Sequence, residues 1–298
     1  MGRRCDPDRA HLDLVNQVQF NRLIILEKEG LTHGMQLLTL RAFRLLLRII
    51  LRAKAFNFVH TLEHEIQMEQ GKGWGAGSIE VEVGCVIELS KRFGFGVQHF
   101  FDIGAYHGEY TVEILRRVEV RKVVSFEPMK ANFKEMKKRI GDSDKVVLVN
   151  EAVGAPGKKM IYAENNSSFL GSFYMRSDFV FEEPATVVSG KKLILKYGAP
   201  DFVKIDVEGA EIEVINSFGE SLNEIKLLQF EFGPPNIESR TFFREFWEFF
   251  QHRGWKLFCI SRNGPIPISS YTTQLECFKT TNFLAVNVGL IESHLEFK

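Results

Sequence analysis

From residue 97 onward, short apolar runs alternate with stretches whose apolar residues recur at helical spacing. Short apolar runs bounded by turn signals predict buried strands, and apolar residues three or four positions apart predict amphipathic helices. The predicted strands are 97–103, 122–127, 145–150, 201–206, 225–232, 255–261 and 282–288. Regular alternation of strand and helix predicts an α/β fold with a largely parallel sheet and right-handed crossovers.

The end of this pattern differs, because no helix is predicted between the strands 255–261 and 282–288. Parallel neighbours need a long crossover, whereas antiparallel neighbours do not. We therefore expect these last two strands to form an antiparallel pair at the edge of a mixed, seven-stranded sheet.

Two further elements follow from local signals. Residues 239–253 are predicted as one helix, capped by Ser239 and ended by Gly254. Glycine and proline residues within 152–163 mark turns, so this segment is predicted to form an added hairpin.

The first third of the chain has another organisation. Residues 11–69 are predicted to be helical, and the glycine-rich stretch 71–77 is the best candidate for a linker. These features predict an N-terminal helical extension over 1–95, followed by a second domain over 96–298.

The stretch 35–60 contains no acidic residue, and four of its arginines recur at helical spacing. They are Arg41, Arg44, Arg48 and Arg52. Four arginines argue against a transmembrane span. Two interpretations stay open: a helix packed on its own domain with solvated or paired arginines, or a basic amphipathic helix that contacts a membrane surface or an anionic substrate.

Charge and cysteine usage narrow the functional classes. Lys+Arg and Asp+Glu are both 38, and the formal net charge is +0. A neutral chain lacks the global footprint of a nucleic-acid-binding protein, so no nucleic-acid partner is expected. The four cysteines form no pair at metal or redox spacing, and no signal peptide is visible, so a reduced, cytoplasmic setting is expected.

The segment after the first predicted strand is the strongest candidate for a ligand site. Asp102 ends the strand, Gly104 and Gly108 bracket a turn, and helical spacing begins at Tyr110. Open α/β sheets bind ligands at the carboxyl ends of such strands. The spacing Asp-x-Gly-x-x-x-Gly is not the dinucleotide fingerprint. An acid before the first glycine repels a pyrophosphate but suits a cation such as S-adenosylmethionine, although a glycine turn in any α/β protein would give the same pattern.

Polar residues also end the next two predicted strands. Glu127 lies 19 positions after Gly108, where an acid can accept hydrogen bonds from two ribose hydroxyls. The same argument fits a nicotinamide cofactor. Asn150 and Glu151 end the third strand, where an adenine would lie and either side chain could bond its amine, although ordinary turn chemistry also explains them.

A second motif, KIDVEGAE, occupies 204–211. Asp206 is expected where a methyl donor and its acceptor would meet. Glu208 and Glu211 begin a predicted helix, where the helix dipole favours negative charge, so capping alone could explain them. Glu231 ends the following strand. Carboxylates gathered in one crevice raise one another's pKa, which suits a general base or a cation site. A Mg²⁺ site from Asp206 and Glu231 is an alternative, but no metal is assigned.

Four segments, in this order, resemble the FkbM-type methyltransferases: DIGAYHGEYT at 102–111, FEP at 126–128, NEAVG at 150–154 and KIDVEGAE at 204–211. The resemblance covers roughly residues 97–288. It implies a class I methyltransferase with a Rossmann-like fold that uses S-adenosylmethionine. Characterised members of this family are mostly O-methyltransferases.

The resemblance also implies roles for individual positions. The methionine end of the cofactor would meet Asp102, Gly104 and Gly108, the ribose Glu127, and the adenine Asn150. Tyr110 and Glu151 complete the predicted cofactor contacts. Asp206 and Glu208 would lie near the transferred methyl group.

We therefore predict a methyltransferase that methylates a hydroxyl of a sugar, a glycan or a small metabolite. A hydroxyl must lose its proton during attack, and Asp206 is the favoured base, with His107 and Glu231 as alternatives. Two other classes remain open: a nicotinamide oxidoreductase, and a non-catalytic protein that uses the same fold to bind a partner. The sequence does not indicate an oligomeric state.

Overall fold

The computed structural model describes residues 45, 56–73, 77–165 and 171–296. Most of the basic stretch 35–60 lies outside the described residues, so the hypothesis of membrane contact stays a prediction. The chain divides into two compact units, Met1–Glu65 and Ile66–Lys298, and the candidate site lies in the second. No helix within the described residues is long and apolar enough to cross a bilayer.

The helices and strands of the described residues follow the predicted alternation. The helices are α1 (Phe56–Glu69), α2 (Ile79–Arg92), α3 (Glu109–Arg117), α4 (Lys130–Ile140), α5 (Gly190–Tyr197), α6 (Glu211–Ser217), α7 (Pro235–Ser239), α8 (Phe243–Gln251) and α9 (Val288–Glu296). The strands are β1 (His99–Ile103), β2 (Lys122–Phe126), β3 (Val146–Val149), β4 (Ala152–Val153), β5 (Gly157–Ala163), β6 (Phe181–Val188), β7 (Phe202–Ile205), β8 (Leu227–Phe232), β9 (Lys256–Ser261), β10 (Gly264–Ile268) and β11 (Thr281–Val286).

The main sheet has the strand order β10-β9-β11-β8-β7-β1-β2-β3. Strands β3, β2, β1, β7 and β8 are mutually parallel, and β11 runs antiparallel to both β8 and β9. This mixed sheet, with its antiparallel strand near one edge, confirms the predicted fold class. The parallel strands direct the ends of β1, β2, β7 and β8 to one rim, so their terminal residues share a crevice.

The sheet contains one strand more than the sequence indicated. Strand β10 pairs antiparallel with β9 through a tight turn in which Gly264 lies opposite Ser261. Two of its five residues are Pro265 and Pro267. Prolines argue against a strand in sequence analysis. An edge strand tolerates them where the backbone N–H group would point away from the neighbouring strand and so has no partner in the sheet.

The region between β3 and β7 also differs from the prediction. The hairpin expected within 152–163 does not form, because β5 pairs antiparallel with β6 over seven residues and β4 pairs parallel with β6. These three strands make a small second sheet beside the main one. Its residues Ala152, Val153 and Ile161 contribute to the wall of the candidate site.

The single helix predicted over 239–253 is two helices. Helix α7 ends at Ser239, and Arg240 then takes a left-handed conformation with φ of 56°. Helix α8 begins at Phe243, so Ser239 is the last residue of one helix and not the cap of the next. The break lets the chain turn above β8 before α8 packs on the sheet.

Helix α2, which the sequence placed in the N-terminal extension, packs against the main sheet. Its residues Val83, Val86 and Leu89 are fully buried in a cluster that includes Phe100 of β1 and Ile260 of β9. Burying an aliphatic side chain of this size stabilises by roughly 1.5–3 kcal/mol. This packing fixes the start of α2 beside the rim of the sheet.

Candidate active site

A cavity of about 600 Å³ opens at the carboxyl ends of β1, β2, β7 and β8. It is lined by seven of the residues that the sequence proposed as functional. They are Gly104, Tyr110, Glu127, Glu151, Asp206, Glu208 and Glu231. Four others, Asp102, His107, Gly108 and Asn150, lie outside this lining.

The turn after β1 needs its glycines. Gly104 has φ of 80°, and a Cβ there would lie 1.8 Å from the backbone oxygen of Asp206. Gly108, with φ of 83°, precedes α3, and its Cβ would lie 2.9 Å from Ile140. Only a residue without a Cβ allows both the left-handed backbone and this close approach. The turn therefore brings the end of β1 against the end of β7.

Asp102 lies behind this turn and not on the cavity. It is fully buried and accepts a hydrogen bond of 2.6 Å from Thr111 Oγ1, which also contacts Ser125 Oγ at 2.7 Å. Burial raises the pKa of Asp102, against the opposing charge of Lys204. In this geometry Asp102 joins β1, β2 and α3, so its direct effect is on the shape of the turn.

Glu127 lines the cavity at the end of β2. Its Oε2 accepts a 3.0 Å hydrogen bond from the backbone N–H of Tyr106, and its Oε1 accepts one of 2.8 Å from that of Met129. Burial raises the pKa of Glu127 to about 8, although these backbone donors favour the charged form. The carboxyl group thus braces the β1 turn and also faces the space where a ribose was predicted.

The two residues at the end of β3 have different positions. The Asn150 side chain donates to the carbonyl oxygens of Glu127 and Pro128, at 2.8 and 2.9 Å, and so ties the β2 turn to β3. Glu151 is the one that lines the cavity. Of the two side chains predicted to bond the adenine, Glu151 is therefore the one on the cavity wall.

His107 packs on its neighbour Tyr106, with ring centroids 3.7 Å apart. Its ring lies outside the cavity lining, so its role as an alternative base stays a prediction. Tyr110 contributes to the cavity wall, while its hydroxyl donates a 2.7 Å hydrogen bond to Gln229 Oε1. Its hydroxyl is thus already engaged in the protein interior.

Lys204 and Asp206 form an ion pair at the end of β7. Lys204 Nζ donates to Asp206 Oδ2 at 2.9 Å, and both residues line the cavity. Burial by itself lowers the pKa of Lys204, but the carboxylates of Asp206, Asp102 and Glu82 outweigh it and raise the pKa above its usual range. A charged ammonium therefore orients the Asp206 carboxylate toward the crevice.

The loop after Asp206 corrects the prediction for Glu208, which does not begin a helix. Glu208 has a left-handed backbone with φ of 55°, and α6 begins at Glu211. Glu211 Oε1 accepts hydrogen bonds from the backbone N–H groups of Val207 and Gly209, at 3.1 and 3.0 Å. Burial raises the pKa of Glu211 to about 7. Glu211 therefore shapes the loop that presents Glu208 to the cavity.

Glu208 and Glu231 line the cavity together with Asp206. Burial, followed by the charge of Asp206, raises the pKa of each carboxyl well above its usual range. Neutral carboxyl groups donate hydrogen bonds, whereas an ionised one only accepts them. The rim can therefore offer both donors and a proton acceptor to a bound hydroxyl group.

The Mg²⁺ site from Asp206 and Glu231 stays a prediction. Across the described ranges, no three histidine, cysteine, aspartate or glutamate side chains are grouped so that they could hold a metal ion. One oxygen of Asp206 is already paired with Lys204.

Sequence analysis missed Glu82, Gln229, Asn282 and Arg176. Glu82, Asn282 and Arg176 line the cavity, and Gln229 is fully buried beside it. Gln229 had a signal, since it is a polar residue inside an apolar run that ends with Phe232. Glu82 had no such sequence signal, because the helix dipole is enough to explain an acid in the first turn of a helix.

A family model described as the methyltransferase FkbM domain matches residues 102–257. No curated protein sequence matches the chain significantly. Among solved structures, the chain is similar to an FkbM methyltransferase from Methylobacillus flagellatus KT, at 14% identity over 63% of this chain and 43% of that one, with a TM-score of 0.40.

Two other structures show a comparable level of similarity. One is the precorrin-6y C5,15-methyltransferase of Geobacter metallireducens GS-15, with 12% identity, 64% and 80% coverage of the two chains, and a TM-score of 0.37. The other is a Streptococcus mutans protein classed as a methyltransferase and solved with SAH, with 11% identity, 67% and 96% coverage, and a TM-score of 0.37. Because these TM-scores are low, the assignment rests on the sequence match over 102–257, which includes the β1 turn, Glu127 and the loop after β7. On that match, the chain belongs to the FkbM methyltransferase family.

Proposed function

We propose that this protein transfers a methyl group from S-adenosylmethionine to a hydroxyl of a sugar, a glycan or a small metabolite. Membership of the FkbM family supplies the reaction class, methyl transfer. One observation carries the proposal of a hydroxyl acceptor: Asp206 faces the cavity, oriented by a buried lysine, beside two carboxyl groups with raised pKa values.

The strand order β7-β1-β2-β3 supports a donor that lies across the rim. Glu127 uses one acceptor site on each oxygen for backbone N–H groups. In its charged form, which hydrogen-bond donors favour, the Glu127 carboxylate offers about four acceptor sites, so it can also receive ribose hydroxyls. Glu151, one strand further along, would reach the adenine, and the β1 turn at Gly104 would lie under the methionine part.

Transfer to a hydroxyl oxygen requires a proton acceptor. The acceptor oxygen bonds to the methyl carbon as the carbon–sulfur bond breaks, and the hydroxyl proton passes to the Asp206 carboxylate. The neutral carboxyl groups of Glu208 and Glu231 would donate hydrogen bonds to other oxygens of the acceptor. S-adenosylmethionine supplies an activated methyl group, so these residues contribute mainly alignment.

A transfer assay with a labelled methyl group tests the acceptor class. The panel contains free sugars, glycans, lipid-linked sugars, small hydroxylated metabolites and transfer RNA. We expect label on a hydroxyl of a carbohydrate or small metabolite, and a rate about 10²- to 10⁴-fold lower with Asp206→Asn at matched enzyme concentration. Labelling of RNA alone, or of a nitrogen or carbon atom, would contradict the proposal.

Calorimetry separates this function from the two other classes. A methyltransferase should bind S-adenosylhomocysteine and not a nicotinamide cofactor. An oxidoreductase would show the reverse preference. A protein that only holds a partner would bind neither ligand strongly, and its family membership would then reflect the fold alone.

A further inference from the structure

Glu82 reaches the cavity from outside the segment that matches the family model. It lies in the first turn of α2, and the residues just before it, Gly77 to Ile79, also line the cavity. Its Oε2 accepts a 2.6 Å hydrogen bond from Gln229 Nε2, and its Oε1 lies 3.4 Å from Asn282 Nδ2. The carboxyl group is therefore held in place by two amide donors from β8 and β11.

These amides are themselves fixed. Gln229 is fully buried, and its Oε1 accepts the hydrogen bond from the Tyr110 hydroxyl. Gln229 Nε2 also lies 3.4 Å from Asn282 Oδ1. Both hydrogen-bond donors to Glu82 are neutral amides, and no lysine, arginine or histidine of the described segments forms an ion pair with it. Burial raises the pKa of Glu82 to about 7, against the opposing charge of Lys204. A carboxylate placed in this way on a cavity wall is ready to meet a cation.

The position of Glu82 along the rim fits one end of the donor. Glu127 follows β2 and Gln229 lies on β8, and β1 and β7 separate these strands. Three strand spacings of about 4.8 Å place Gln229, the partner of Glu82, roughly 14 Å across the sheet from β2, which Glu127 follows. That span suits an extended adenosyl amino acid, with its ribose hydroxyls bonded at one end and its amino group at the other.

We propose that Glu82 binds the α-ammonium group of S-adenosylmethionine, with Gln229 and Asn282 as positioning residues. This inference rests on the proposed function, because it presumes that donor. The other nearby acids are less suited to bind an ammonium group, since Asp102 lies behind the β1 turn and Asp206 is already paired with Lys204. The amino acid end of the donor would then be held between the main sheet and α2.

Two ligands distinguish this role from a structural one. S-adenosylhomocysteine carries the α-ammonium, whereas 5′-methylthioadenosine has the same nucleoside and lacks the amino acid. For Glu82→Gln, calorimetry should show S-adenosylhomocysteine binding weakened about 10- to 100-fold, the range for loss of a charge-assisted hydrogen bond. Binding of 5′-methylthioadenosine should stay at the wild-type value.

Glu80→Gln is the matched control, since Glu80 is an exposed acid in the same turn of α2. It should leave the affinity for both ligands unchanged. An equal loss of both ligands in Glu82→Gln would mean that Glu82 only supports the fold, and no loss of either would place the ammonium elsewhere; both results overturn the proposal. If the wild-type protein binds neither ligand, the proposed function itself fails.

Discussion

Two strand-to-helix turns form the floor of the cavity, and they are built alike. Each contains a non-glycine residue with a left-handed backbone, Tyr106 after β1 and Glu208 after β7. Each is held by a buried glutamate that accepts backbone N–H groups. A left-handed conformation at such residues costs of order 1–3 kcal/mol and persists only where surrounding structure enforces it. Both turns are therefore held in shape before any ligand arrives.

The two supporting glutamates differ in where they come from. Glu127 reaches the β1 turn from the neighbouring strand and also lines the cavity. Glu211 is the first residue of α6, directly after the loop that it supports, and does not line the cavity. In the first turn, one side chain both supports the backbone and lines the cavity. In the second turn Glu211 gives the support, while Asp206 and Glu208, together with Glu231 of β8, line the cavity.

The largest effect is expected from Asp206, the proposed proton acceptor in the turn after β7. Asp206→Asn keeps the shape of the side chain but cannot take up the acceptor's proton, so turnover should fall about 10²- to 10⁴-fold. The affinity for S-adenosylhomocysteine should change far less. Initial rates with labelled donor, combined with calorimetry, measure both quantities. A parallel fall in affinity and rate would show that Asp206 binds the donor or supports the loop.

The next effect concerns the stability of the β1 turn. Gly104→Ala forces a Cβ into a left-handed backbone, at a cost of about 1–2 kcal/mol. The clash with Asp206 should add roughly 1–3 kcal/mol. Gly94→Ala is the matched control, because Gly94 has φ of 73° and open space around it. Urea unfolding should show a larger loss of unfolding free energy for Gly104→Ala than for Gly94→Ala. Equal losses would mean that the close approach of Gly104 to Asp206 does not contribute to stability.

The third effect separates the two supporting glutamates. Glu127→Ala should weaken S-adenosylhomocysteine binding, with each lost charge-assisted hydrogen bond contributing roughly 1.5–3 kcal/mol. Glu211→Ala should lower the free energy of unfolding, because two backbone N–H groups lose their acceptor, yet it should affect binding much less. Calorimetry and denaturant unfolding on the same two variants give the comparison. Unchanged affinity in folded Glu127→Ala protein would exclude its ribose role.

The smallest expected effect is a dependence of stability on pH. The folded protein raises the pKa of Glu127 to about 8 and that of Glu211 to about 7, both from a usual value of 4.5. Between these limits the folded state holds more protons than the unfolded chain, so the stability of ligand-free protein should rise as pH falls from about 8 toward 5. Glu127→Gln should reduce this slope, as followed by urea unfolding at several pH values. A slope that Glu127→Gln leaves unchanged would assign the effect to other carboxyl groups.

The predictable part of the fold lies where local pattern and burial agree. The strands of the parallel core are short, mostly apolar runs bounded by turn signals, so the hydrophobic pattern identified them. Strand β10 was missed because Pro265 and Pro267 oppose a strand locally, and only its position at the edge makes them acceptable. The break between α7 and α8 was missed because the left-handed Arg240 has no sequence signal comparable to a glycine or proline.

The candidate site also has a part that the sequence could predict and a part that it could not. Residues at strand ends, such as Glu127, Asp206 and Glu231, could be found because topology brings the ends of parallel strands together. The sequence could not predict which of these polar side chains face the cavity. Asp102 instead accepts a hydrogen bond from Thr111, and Asn150 donates one to the backbone of Glu127. Glu82 depends on the packing of α2 against the sheet, a tertiary fact that no local pattern encodes.

The prolines of β10 also bear on how the protein behaves in a crowded solution. A two-residue turn makes Gly264 and Ser261 a hydrogen-bonded pair, so the alternate positions 265 and 267 face away from β9. Those outward positions carry Pro265 and Pro267, which have no N–H group to donate. An exposed strand edge ordinarily offers a template on which another chain can add a strand and aggregate. Here that edge offers no donor at two successive outward positions, so the sheet is protected against growth from this side.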